Sequence, residues 1–141
     1  MKNILLIIFF VFVLFACEEQ SLHYRETKIY EFLVENQLAD KTVIIVPKSK
    51  TDFWITSNES YIYIVVPRDI IVIGSKIVYD NNKKATDIYN FDDIIEPFEI
   101  YIDGIKQDKP FPLREFWEFS IGTLNESGQY TLIINENILE D

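Results

Sequence analysis

The sequence predicts an all-β fold, an antiparallel β-sandwich of immunoglobulin-like or similar type with about seven to nine short strands, preceded by a cleaved N-terminal signal. Three observations lead there. Among the apolar residues Ile, Val, Tyr, Phe and Trp predominate, side chains suited to a pleated, half-buried surface, whereas Ala and Met, which fill helices well, are nearly absent. Short alternating runs recur along the chain, separated by Gly, Pro, Asn and Asp clusters. The single Cys leaves no partner for an intrachain disulfide, so stability has to come from one packed core.

The first predicted strand is Lys28–Glu35; within Arg25–Leu38 the residues Ile29, Phe32, Leu33 and Asn36 would also share a helical face, but the sheet-forming composition favours a strand. Thr42–Val46 follows and stops at Pro47, which cannot donate to a ladder. Asp52–Thr56 and Tyr61–Val66 come next, the latter stopped by Pro67. Alternation puts Tyr61 and Tyr63 on one face of that strand and Ile62 and Ile64 on the other, so a sandwich core takes one set and leaves the other outside. Ile70–Tyr79 is long, and Gly74 inside it predicts a bulge or bend that would let the segment serve two sheets. Asp80-Asn81-Asn82-Lys83-Lys84 reads as a hairpin turn, and Asp87–Glu96 as a loop or one helical turn. Phe98–Asp103 and Ile105–Asp108 flank Asp103-Gly104, the dipeptide that supplies positive φ at both central positions of a type I′ turn. Phe116–Gly122 and Gln129–Asn135 complete the set, with Asn125-Glu126-Ser127-Gly128 as the turn between them.

The first 17 residues carry an address rather than a structural element. Lys2 and the amino terminus precede an unbroken apolar run, Ile4–Ala16, which is shorter than the roughly 20 residues of a spanning helix and fits a secretory signal. Leu14-Phe15-Ala16-Cys17 resembles the lipobox of bacterial lipoproteins. That resemblance implies cleavage before Cys17, a diacylglycerol group on its sulfur, and membrane attachment through that lipid. The chain then divides into a signal peptide at residues 1–16, an acidic tether at 17–26, and a single sandwich domain at 27–141. Removing residues 1–16 takes away Lys2 and no acid, so the mature chain carries a net charge of −11. The Glu18-Glu19 pair after Cys17 resembles export signals that send lipoproteins of Bacteroidota to the cell surface, which favours the outer membrane and its external side. The closing pattern Trp117-x-Phe119 and Gly128-x-Tyr130-x-Leu132-x-Ile134 is also similar to small lipoproteins of that group. No residue role travels with that similarity.

Composition excludes several chemistries. The 23 acidic residues against 13 basic ones have the wrong sign for neutralising phosphates, so nucleic acid is not an expected partner. The only histidine, His23, lies in the tether and makes a poor general base. One Cys and one His cannot assemble a tetrahedral zinc site, and the four glycines are too scattered for a phosphate loop, so no cofactor is expected. Asp92, Asp93, Glu96 and Glu99 cluster around Pro97 and would suit a carboxylate-based hydrolase, though an acidic chain exposes such clusters by chance. Asp80, Asn81, Asn82, Asp87, Asn90 and Asp92 are oxygen-rich enough for calcium but lack its loop spacing, so no metal site is assigned. Aromatic residues make up 15% of the chain, and Trp54 and Trp117 are the nominees for exposed, ligand-binding side chains. The expected function is non-enzymatic binding of a glycan or an envelope protein, with an assembly subunit of an envelope complex as the rival.

Overall fold

The computed structural model describes residues 26–55, 61–80, 85–88, 90–122 and 127–140. Cys17, Glu18, Glu19, His23 and the whole signal segment lie outside them. Among the described residues no helix is long and apolar enough to cross a membrane.

Among the described residues eight strands form two four-stranded sheets. They are β1 (Glu26–Asn36), β2 (Val43–Pro47), β3 (Tyr63–Val65), β4 (Ile70–Asp80), β5 (Phe98–Ile102), β6 (Ile105–Lys106), β7 (Trp117–Ile121) and β8 (Ser127–Ile134). Sheet A has the order β4-β1-β8-β7 and sheet B the order β3-β2-β5-β6. A short helix, α1 (Glu136–Glu140), follows β8. The all-β sandwich is therefore the observed architecture, with sheets that are mostly antiparallel.

One pairing departs from the antiparallel expectation. β1 runs parallel to β8, with Phe32 opposite Tyr130 and Val34 opposite Leu132. The first and last strands meet at the centre of sheet A, a closure that spans nearly the whole chain. β1 is a strand because Lys28, Tyr30, Phe32, Val34 and Asn36 are buried in strict alternation, a period of two that a helix cannot satisfy.

Within Asp52–Thr56 the described residues, 52–55, do not form a strand. Phe53 and Trp54 are consecutive and both buried, so the chain turns here to send two neighbouring rings inward, which a pleated strand forbids. What remains is an isolated bridge between Trp54 and Gly74, flanked by Ser75 N–H donating to the Phe53 carbonyl (2.9 Å) and Ile55 N–H donating to that of Ile73 (3.1 Å). The expected irregularity at Gly74 is present: Phe32 faces Gly74 and Leu33 faces Val72, leaving Ile73 as the extra residue. β4 nevertheless stays in sheet A. A Cβ on Gly74 would lie 2.3 Å from Cε1 of Phe53, so this glycine makes room for a ring.

Turn chemistry holds where it is local. Asp103 and Gly104 have φ of 48° and 80°, as a type I′ turn requires. Phe91–Asp93 forms the single helical turn expected within Asp87–Glu96. The turn expected at Asp80–Lys84 falls at residues 81–84 outside the described set, and the strands on either side of it, β4 and β5, belong to different sheets. Ser127 and Gly128 belong to β8 rather than to a turn, and Asn125 and Glu126 are not described. A Cβ on Gly128 would sit 2.5 Å from the Tyr30 ring, a second glycine placed for ring packing.

Phe32 sits at the centre of the core, with rings of Phe53, Phe91, Trp117 and Tyr130 all within 6 Å of its centroid. The buried Asn36 closes the end of the sandwich remote from the start of β1. Its Nδ2 donates to the carbonyls of Lys41 (2.8 Å) and Val65 (2.9 Å), and its Oδ1 accepts from Leu38 N–H (3.1 Å).

Candidate functional site

The two tryptophans nominated for ligand contact are core residues. Trp54 is 5% exposed and Trp117 3%. Trp117 donates its Nε1–H to the Phe111 carbonyl (2.8 Å) and meets Phe32 and Phe98 edge-on. Trp54 packs edge-on against Phe53 and Phe98 and reaches Tyr63. Neither offers a face to a sugar ring. Two sheets of modest size need large side chains to fill the space between them, and these rings serve that need. Trp54 Nε1 and the Tyr63 hydroxyl are buried without a hydrogen-bond partner among the described residues. Burial, with a smaller contribution from Tyr61, pushes the Tyr63 phenol up to about 12.

The carboxylates do not assemble into a catalytic pair. Asp92 and Asp93 are exposed on the 3-10 turn, and Glu96 accepts from the Ser49 hydroxyl (3.2 Å). Glu99 projects from the outer face of sheet B, where Lys106 Nζ (2.8 Å) and the Tyr101 hydroxyl (2.9 Å) donate to it. Hydrogen bonding from Lys106, then from Tyr101, holds its carboxyl below the usual range. A general acid needs the opposite shift. Among the described residues no group of three or more His, Cys, Asp or Glu side chains is placed to hold a metal ion.

Asp87, read in the sequence as a possible calcium ligand, is instead a clamp. Arg114 grips it with Nε (3.1 Å to Oδ1) and Nη2, and the Tyr130 hydroxyl donates to Oδ1 (2.8 Å). Arg114 also lies over the rings of Phe91 and Tyr130 and donates to the Trp117 carbonyl. The clamp pins the chain before β5 against sheet A. The Arg114 hydrogen bond, then that of Tyr130, pulls the Asp87 carboxyl below its ordinary range despite opposing desolvation. With the folded-state pKa below the unfolded one, this stabilisation is complete above about pH 4 and disappears as pH falls through the folded-state value. In urea unfolding, Asp87→Asn is therefore expected to lower stability at neutral pH and to match the wild type at the acid end. A gap that stays constant with pH would exclude the charged clamp as its source.

One surface open to a partner is the outer face of sheet B. In β3 the core takes the tyrosine set: Tyr63 packs on Trp54, and Ile62, Ile64 and Val66 are each at least half exposed. Cross-strand register extends that row. Ile64 lies opposite Ile44, which lies opposite Tyr101, which lies opposite Lys106; one row along, Val46 faces Glu99. Ile44 and Val46 are half-buried, so the face is a continuous aliphatic strip ending in the Lys48–Glu99–Lys106 ion pairs. Beyond them a groove of about 390 Å³ runs beside β5, walled by Lys48, Pro97, Lys106, Pro110 and Leu113. β3 is a three-residue edge strand, too short to template the addition of another strand. Side chains, rather than a bare strand edge, are what this face presents. The alternation in Tyr61–Val66 showed that one set would be outside; which set it was depended on Trp54 lying beneath Tyr63.

Comparison with protein-family models, with curated proteins and with solved structures finds no match.

Proposed function

We propose that this chain is a lipid-anchored protein of the bacterial cell envelope, tied to the outer membrane at Cys17 and displayed on the cell surface, that works by binding another envelope protein. The lipobox pattern and the acidic pair behind it support the anchoring and its side. The apolar outer face of sheet B carries the binding reading. Exposed Ile62, Ile64 and Val66 beside Ile44 form a contiguous patch of the kind that marks protein contact sites. An aliphatic strip with a charged rim fits a protein surface better than a glycan, which calls for an exposed aromatic platform that the buried tryptophans do not supply. Engagement of Asp87 and Glu99 by cations supports a non-catalytic role. An assembly subunit of an envelope complex would use the same face, and it stands as the second reading on the same observation.

The test is a photo-reactive residue at Ile64 in living cells, with Thr131 on the outer face of sheet A as control. One discrete protein adduct from position 64, absent from 131 and lost in Ile44→Glu, is the expected result. No adduct at 64, or the same adducts from both faces, overturns the reading.

A further inference from the structure

A second apolar patch lies where the described chain begins. Ile29 and Ile77 face each other across β1 and β4 on the outer side of sheet A, and Tyr79 stands one pair further along, opposite Thr27. Tyr79 is 67% exposed and both isoleucines are about half exposed. These are three large apolar side chains around the first residues of β1. Only nine peptide steps separate Cys17 from Glu26, so even a fully extended tether reaches about 30 Å.

We propose that this end of the sandwich is a membrane-resting surface: Ile29, Ile77 and Tyr79 contact the interfacial layer of the bilayer to which Cys17 is tied. The proposal rests on the anchored reading above and deepens it. A bilayer suits the patch better than a second copy does, because three side chains are too few for a stable interface of some 1,200 Å² and the excess of acidic over basic residues repels like chains. Weak contact suffices for a tethered domain, since a short link gives millimolar effective concentrations.

The depth of contact also follows from the strands. Ser75 N–H points away from β1 toward Phe53, so the backbone groups of Ile77 and Tyr79, two and four residues on, face the open edge of β4. Such groups are costly in hydrocarbon but are satisfied among headgroups, and a tyrosine is at home there. Further along the same face stand Glu31, Glu35 and Glu118, which an anionic leaflet repels. Contact is thus confined to the tether end, and the outer face of sheet B, on the opposite side of the sandwich, stays clear for a partner.

The experiment uses the full chain, purified with its N-terminal lipid and reconstituted into phosphatidylethanolamine–phosphatidylglycerol vesicles, with a nitroxide on Thr27→Cys or, as control, on Glu118→Cys. The label at 27 is expected to shift toward oxygen and away from a water-soluble nickel relaxant, while the label at 118 remains in water. Combined Ile29→Ser, Ile77→Ser and Tyr79→Ser abolishes the shift while the chain still floats with the vesicles and keeps its near-ultraviolet circular dichroism. A floating wild type whose label at 27 is as wet as that at 118 overturns the membrane contact alone. A label at 27 equally shielded in Cys17→Ser without vesicles also overturns it, by showing that the chain covers its own patch. A wild type that fails to float overturns the anchored reading, and the contact falls with it.

Discussion

Phe32→Ala is expected to cost the folded domain about 3–5 kcal/mol, the range for deleting a fully buried ring. The effect belongs at the upper end of single substitutions because four aromatic rings close on this one, from Phe53 at 4.8 Å to Phe91 at 5.9 Å between centroids. Those rings come from β7, β8 and two connecting segments, so no single element can shift to fill the cavity. Urea unfolding gives the cost directly from the midpoint and slope. Ile64→Ala, from the exposed strip, is the control and is expected to change stability by no more than about 0.5 kcal/mol. Equal losses in the two variants would refute the central position given to Phe32.

Asn36→Leu, which keeps the branch at Cγ but adds volume, is expected to destabilise by about 3 kcal/mol. The change strips partners from the Lys41 and Val65 carbonyls and from Leu38 N–H, three groups at the closed end of the sandwich. Each lost hydrogen bond is worth about 1 kcal/mol, and more where the orphaned group stays buried. The backbone bonds of Asn36 with Arg68 and Asp69 (2.8 and 2.9 Å) survive, so β1 persists while the turn at 38–41 and the end of β3 loosen. Amide exchange should therefore accelerate first at Leu38. A loss below about 1 kcal/mol would mean that water replaces the amide, and the end is not sealed.

Several features were legible in the residues because their causes are local. Ile100-x-Ile102-Asp103-Gly104-Ile105 spells a strand, a type I′ turn and a returning strand, and each is there. Gly74 marked the irregularity in β4, since a residue without a side chain in a strand interior signals a bulge or a close approach, and here it marks both. Asp52–Thr56 misled for the converse reason. Phe53-Trp54 has strand-forming composition, but two inward-facing neighbours require a turn, and nothing in the pentapeptide states how much room the core leaves.

The candidate site was half legible. Alternation in Tyr61–Val66 divided tyrosines from isoleucines correctly, yet an amphipathic tyrosine is as reasonable a surface residue as a core one. Packing on Trp54 settled the matter in favour of exposed isoleucines. Asp87 gave no sequence sign of its role, since Arg114 and Tyr130 lie 27 and 43 residues away.

By itself the sequence determined the all-β class, eight of the nine expected strand positions to within a few residues and the tight turn at 103–104, because backbone propensity, side-chain alternation and positive φ act over two to five residues. Only the tertiary structure decided that β1 and β8 run parallel, that both tryptophans are interior, and that aliphatic side chains face outward on sheet B. Those outcomes depend on which distant segments fill the shared core, and the competition for that space involves all of them at once.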